Sequence, residues 1–214
     1  MLVYERMSRH PLTVSPDTPV DAALKRMREE RVRRFPVVEE GGKLVGIISE
    51  KDLLYAAPSP ATSLSIYELH YLYSRIRVEQ VMTRDVITIP EDAPLEEAAR
   101  IMVDNKVGGL PVMREDKLVG IITETDIFKT FMEMLGARDQ GLRLTLLCPA
   151  QRGKLAAITG AVAGLGGNII SLGTFWGQDA SNAIITLKVV DVDKDMLVEK
   201  VRPHVSEVVD VREV

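Results

Sequence analysis

The chain has 214 residues, 46% hydrophobic and 27% charged, a globular composition that excludes wholesale disorder and allows one large domain or two or three small ones. Its 27 basic and 31 acidic side chains leave a net charge of −4, which excludes the broad cationic field used in generic binding to nucleic acid or anionic membranes. Any anion site must therefore be local. A single cysteine, Cys148, cannot form an internal disulfide, and the charged opening MLVYERMSRH lacks a signal-peptide core, so a cytoplasmic protein is expected.

An internal repeat sets the organisation. Met7-Ser8-Arg9-His10-Pro11-Leu12-Thr13-Val14 returns as Met82-Thr83-Arg84-Asp85-Val86-Ile87-Thr88-Ile89. Arg31-Val32-Arg33-Arg34-Phe35-Pro36-Val37-Val38 answers to Lys106-Val107-Gly108-Gly109-Leu110-Pro111-Val112-Met113. Lys43-Leu44-Val45-Gly46-Ile47-Ile48-Ser49-Glu50-Lys51-Asp52 returns as Lys117-Leu118-Val119-Gly120-Ile121-Ile122-Thr123-Glu124-Thr125-Asp126.

Within each copy the periodicities predict one order of elements. Thr13-Val14 is expected as a short strand, and Pro16, Asp17 and Pro19 as a turn and helix start. The stripe Val20, Ala23, Leu24, Met27, repeated as Leu95, Ala98, Ala99, Met102, has helical spacing and faces a core. Phe35–Val38 and Leu44–Ile48 flank Glu39-Glu40-Gly41-Gly42-Lys43, a hairpin signature. A second helix then opens after Ser49 or Thr123, capped by that hydroxyl. Each copy reads β-α-β-β-α.

These residues resemble two CBS repeats, the tandem known as a Bateman module. The resemblance rests on Met-Ser/Thr-x-x-x-Leu/Ile-Thr, the Pro-Val-Val/Met hairpin and the doubled Gly-Ile-Ile-Ser/Thr-x-x-Asp, and it covers residues 1 to about 130. It places the first repeat at 1–55, a linker at 56–77 with an inserted helix around Ile66–Tyr73, and the second repeat at 78–135.

Beyond it, Leu142, Leu144 and Leu146 alternate as a strand. Arg152-Gly153-Lys154 opens a helix with the stripe Leu155, Ile158, Val162, Leu165, stopped by Gly166-Gly167-Asn168. The uncharged run Ala156–Gln178 is long enough to screen as a membrane span, but its six glycines argue for a buried helix, turn and strand. Ile169–Trp176 and Ala183–Val190 are strands, Asp193 caps a helix to Arg202, and Val205–Val211 closes as a strand. The order βαββαβ is ferredoxin-like. Residues 142–214 resemble an ACT domain, with Gly153 at the turn before the first helix and Arg152 where family members often carry Pro. The expected fold class is α+β, two paired CBS repeats and a ferredoxin-like ACT domain, in an order resembling acetoin-utilisation-type regulators.

No catalytic set emerges. His10, His70 and His204 lack metal-ligand spacing, Cys148 reads as a small buried hydrophobe, and neither a nucleophile elbow nor a phosphate-binding Gly-rich loop is present. No enzyme activity, catalytic residue or metal is expected. Ser49-x-x-Asp52 and Thr123-x-x-Asp126 are sharper signals. At a helix start the amides and hydroxyl suit phosphate, and a carboxylate three residues on can accept both ribose hydroxyls; the same spacing is also an ordinary capping pattern.

The CBS resemblance implies an adenosine between the repeats. Ile47, Ser49 and Asp52 would face Thr83, Val86 and Val107 in one cleft, and Ile121, Thr123 and Asp126 would face Ser8, Pro11 and Val32 in the other. Arg33, or its neighbour Arg34, would reach phosphate; the equivalent Gly108 offers only backbone. The implied ligands are AMP, ADP, ATP or S-adenosylmethionine. The ACT resemblance implies a homodimer, the unit serving either as a dimerisation module alone or as a second ligand site near Gly153 and Asn168. A rival reading is a ligand-free scaffold for a metabolic enzyme, suggested by the aromatics of Ile66–Tyr73. Neither a nucleic-acid nor a membrane partner is expected.

Overall fold

The computed structural model describes residues 1–56 and 73–214, and the chain divides into two compact units, Met1–Ile127 and Phe128–Val214. The inserted helix expected around Ile66–Tyr73 lies outside the described residues except for Tyr73, whose hydroxyl donates to the Leu53 carbonyl at 2.8 Å.

In the first unit each copy of the repeat contains an amphipathic helix, a hairpin and a capped second helix. The first copy supplies α1 (Val20–Glu29), β2 (Arg34–Val38), β3 (Leu44–Ser49) and α2 (Glu50–Tyr55), after a two-residue strand β1 (Ser8–Arg9). The second supplies α3 (Val78–Val81), β4 (Ile89–Pro90), α4 (Leu95–Asn105), β5 (Gly109–Arg114), β6 (Lys117–Thr123) and α5 (Glu124–Met134). The stripe read from sequence is buried on α1, at Val20, Ala23, Leu24 and Met27, and on α4 at Leu95, Ala98 and Met102, whereas Ala99 of that stripe is only half-buried. Both helices end alike. Arg31 and Lys106 adopt left-handed φ of 55° and 54°, and the next amide turns back to the Met27 or Met102 carbonyl.

Thr13-Val14 does not form a strand. Val14 makes a single parallel bridge to Val37, because the prolines at 11 and 16 on either side interrupt ladder donors. The antiparallel ladder falls instead on β1, where Ser8 pairs with Ile121 and Arg9 with Gly120 of β6.

The segment that opens each copy therefore completes the core of the other. Val3 is fully buried among Ile89, Leu95, Leu110 and Ile122, its amide bonded to the Ala93 carbonyl at 2.9 Å. Its counterpart Val78 is fully buried among Val20, Phe35, Ile48 and Leu53, its amide bonded to Thr18 at 2.9 Å. Where these segments cross the hairpins only glycine fits. A Cβ on Gly46 would meet the Thr83 carbonyl at 3.1 Å, and one on Gly120 the Ser8 carbonyl at 3.1 Å.

The second unit contains β7 (Leu142–Pro149), α6 (Lys154–Gly164), β8 (Asn168–Trp176), β9 (Asn182–Val190), α7 (Lys194–Val201) and β10 (Glu207–Glu213), with sheet order β10-β7-β9-β8. The alternation in β7 places Leu142, Leu144, Leu146 and Cys148 in one core with Ile185, Leu187 and Val189 of β9. On α6 the buried stripe is Ile158, Ala161 and Val162, with Leu165 packed beside it. Leu155, expected in that stripe, is 40% exposed because the first turn of α6 projects beyond the core. Asp193 caps α7 as expected, accepting from the amides of Asp195 and Met196 at 3.0 Å. No helix among the described residues is long and apolar enough to cross a membrane.

Candidate functional site

Of the cavities in the first unit, one lies beside each second helix. The first, about 510 Å³, is lined by Ser8, Pro11 and Val32 on one side and by Ile121, Thr123 and Asp126 on the other. The second, about 450 Å³, brings Ile47, Ser49 and Asp52 together with Thr83 and Val107. Every residue expected around Asp126 thus lines one cavity. Around Asp52 only Val86 departs: it is half-buried outside the lining, in a turn where its amide bonds to the Arg84 carbonyl at 3.0 Å. Arg33 lines both cavities.

The start of each second helix is closed by the protein's own groups. Oδ2 of Asp52 accepts from the Ser49 amide at 2.8 Å and the Ser49 hydroxyl at 2.6 Å. Oδ2 of Asp126 accepts likewise from the amide and hydroxyl of Thr123, at 3.0 and 2.7 Å. The Glu50 amide donates to the Arg33 carbonyl at 2.8 Å, and the Glu124 amide to the equivalent Gly108 carbonyl at 3.3 Å. The sequence suggests Ser49 and Thr123 as phosphate donors. Here their hydroxyl protons are committed to the carboxylates, and the capping pattern is the geometry adopted. The second carboxylate oxygen of Asp52, Oδ1, takes no hydrogen bond among the described residues and lies on a cavity-lining side chain.

The two copies differ most at the hairpin entrance. Arg34 lies against Gly108 and Gly109, where a Cβ at either position would collide with its guanidinium, and Nη1 donates to the Gly108 carbonyl. Burial pushes its pKa down; Glu124 opposes that shift and Arg33 adds to it. Like Arg33, Arg34 and Gly108 line both cavities. Sequence reasoning paired Arg34 with its neighbour as a phosphate contact but did not find its seat on Gly108. The signal was present: Gly108-Gly109 stands opposite Arg33-Arg34 in the alignment of the copies.

In the second unit Gly153 is the left-handed N-cap of α6, at φ 84°, and Asn168 is the exposed first residue of β8. Neither lines the cavities just described. Cys148 is 1% exposed and burial pushes its thiol up, as suits a core residue. No group of three or more His, Cys, Asp or Glu side chains that could hold a metal ion occurs among the described residues.

The chain matches the CBS domain model twice, over residues 3–59 and 78–133. It is 34% identical over 142 residues to a CBS domain-containing protein of Dictyostelium discoideum, covering 63% of this chain and 94% of that one. It is 37% identical over 134 residues to inosine-5'-monophosphate dehydrogenase of Methanocaldococcus jannaschii, covering 62% of this chain but only 24% of the enzyme. Among solved structures, a Vibrio cholerae protein assigned to acetoin utilization (AcuB) superposes with a TM-score of 0.54 at 33% identity, over 64% of this chain and 95% of that one. The CBS domain pair of MJ0100, in complex with 5'-methylthioadenosine and S-adenosyl-L-methionine, gives 0.52 at 30% identity over 65% and 98%. CBSX2 of Arabidopsis thaliana, in complex with AMP, gives 0.51 at 30% identity over 61% and 96%.

Proposed function

The chain belongs to the CBS domain family, and from that premise we propose that it is a non-catalytic regulatory protein that binds an adenine nucleotide or S-adenosylmethionine between its repeats. One observation carries the reading. Each cavity sets one copy of Ser/Thr-x-x-Asp opposite residues from the other copy, so a ligand filling it touches both repeats. A ribose presents two adjacent hydroxyls, and a carboxylate can accept both; Asp126 and Asp52 are the acceptors in this proposal. Apolar lining from Ile121, Pro11 and Val32, or from Ile47 and Val107, suits a purine face. The related pairs crystallised with AMP and with S-adenosylmethionine support the same ligand class.

Such a ligand acts by linkage. It shifts the repeats toward whichever arrangement it binds better, by no more than its differential affinity for the two. The second unit serves in this reading as an ACT-type module for homodimerisation, with Gly153 and Asn168 as a candidate second-ligand turn. Its edge strand β8 is nine residues long and uncharged, and it ends in Trp176, 88% exposed, the kind of edge that a partner chain covers. A regulated metabolic enzyme would be the recipient of the signal.

Calorimetric titration with AMP, ADP, ATP and S-adenosylmethionine tests the assignment, using wild type, Asp52→Asn and Asp126→Asn. Asparagine keeps a capping oxygen, so each variant is expected to fold and to lose saturable binding in its own cavity. Undiminished affinity in a chain carrying both substitutions would refute it.

A further inference from the structure

The C-terminal end of α5 rests in a seat supplied by two strands of the second unit. Gly136 is left-handed at φ 58°; its amide donates to the Glu133 carbonyl and the Ala137 amide reaches back to the Met132 carbonyl, both at 2.9 Å, a Schellman closure. The next carbonyls lie beyond the helix ladder and take side-chain donors instead. Ser171 of β8 donates through Oγ to the Leu135 carbonyl at 3.1 Å. Lys188 of β9 donates through Nζ to the Gly136 carbonyl at 2.6 Å, which also accepts the Asp139 amide at 3.1 Å, and to the Asp139 carbonyl at 2.7 Å. Ser171 and Lys188 are partners in the β8–β9 register, so both donors rise from one spot on the sheet. Only glycine fits between: a Cβ on Gly136 would meet Cγ2 of Ile170 at 3.1 Å.

Lys188 is only 5% exposed, and among the described residues its ammonium donates to main-chain carbonyls and forms no salt bridge. Burying an ammonium without a counter-ion is costly, and the partial negative charge of a helix C-terminus offsets that cost. Its burial therefore depends on the helix end being in place. The same helix begins at the Thr123–Asp126 cap of one cavity. It has 11 residues against six in its counterpart α2, and the boundary between the two compact units falls within it, after Ile127.

Resting on the reading of that cavity as a nucleotide site, we propose that Lys188 and Ser171 are positioning residues that pass the state of the Asp126 cavity to the sheet of the second unit by holding the far end of α5. A ligand that engages Asp126 steadies the start of the helix, and a steadied helix keeps its end seated. The seated end in turn holds β8 and β9 at the seat. By linkage, the ligand and the seat stabilise each other by the same factor. Because β8 is the edge strand assigned above to a partner chain, the signal arrives at the surface where assembly would occur.

The test is amide hydrogen exchange on the full chain, with and without saturating AMP, read at Gly136, Ala137 and Asp139 and along β8 and β9. In wild type AMP should slow exchange there by at least about fivefold, the low end of allosteric coupling. Asp126→Asn should abolish the response and Asp52→Asn should leave it; a response that follows Asp52 instead overturns the proposal. Lys188→Met should bind AMP with affinity lowered by no more than the coupling itself, about fivefold, and should still protect Thr123–Asp126, while exchange at the seat no longer responds to AMP. A lysine serving stability alone would raise exchange equally with and without AMP and keep the ratio intact, which overturns the proposal. Ser171→Ala removes one of the three side-chain bonds and decides the matter if Lys188→Met does not fold. Its AMP response should be clearly smaller than that of wild type, and an unchanged response overturns the proposal. So does a wild type that binds AMP and protects Thr123–Asp126 with no change at the seat, which leaves the nucleotide reading standing. Failure of AMP to bind at all overturns both.

Discussion

The two repeats are built from one pattern, and their differences lie where ligand chemistry would be set. Ser49-x-x-Asp52 and Thr123-x-x-Asp126 make the same cap with hydrogen bonds within about 0.2 Å of each other, and Val3 and Val78 plug the opposite cores in the same way. At the hairpin entrance the equivalence breaks. One copy has Arg33-Arg34, the other Gly108-Gly109, and a single guanidinium occupies the space that two would contest. Duplication preserved what closes the fold; divergence fell on the charge facing the cavities.

The largest effects should come from the shared framework. Phe35 and Leu110 occupy equivalent, fully buried positions. Phe35→Ala is expected to cost about 3–5 kcal/mol and Leu110→Ala about 2–5 kcal/mol, read from urea midpoints. A difference much beyond that between them would show that the two cores are not equivalent. Next come the crossing glycines. Gly46→Ala and Gly120→Ala each push a methyl toward a backbone carbonyl at 3.1 Å, for about 1–3 kcal/mol, and the two losses should match. A marked inequality would break the symmetry of the exchanged segments.

Smaller still are the caps: Ser49→Ala and Thr123→Ala should each cost about 0.5–2 kcal/mol. Gly108→Ala sharpens the comparison from the other side. Its new methyl meets only the flexible ends of Arg34 and Glu124, so stability should fall by less than about 1 kcal/mol while AMP affinity drops as Arg34 is displaced.

Much of this is legible in the sequence alone. The repeat, the hairpins, the amphipathic stripes and the capping pairs follow from local spacing, and so does the βαββαβ order of the second unit. What was not legible is mostly non-local. Periodicity around Met7 and Met82 says nothing about which copy each segment joins, because that depends on strand pairing across the unit. Leu155 matches a helical stripe, yet its turn extends past the core. Val86 shares Pro11's place in the alignment but lies in a turn outside the cavity. The seat of Arg34 depends on two glycines remote in sequence.

The smallest expected effect serves as a control outside the repeats. Cys148 is buried, and its folded thiol holds its proton more tightly than the unfolded one. Its contribution to stability is therefore complete below about pH 8.5 and declines above it. A thiol reagent should react with it only after unfolding, and ligand binding should leave that protection unchanged. Prompt reaction with the native chain would contradict its place in the core.

The central claim is met most directly by a crystal structure of the chain grown with AMP. The account predicts the nucleoside between the repeats, its ribose hydroxyls within hydrogen-bond distance of the Asp126 or Asp52 carboxylate and its phosphate turned toward Arg33 and Arg34. AMP bound elsewhere, or both cavities empty at a saturating concentration, would contradict it.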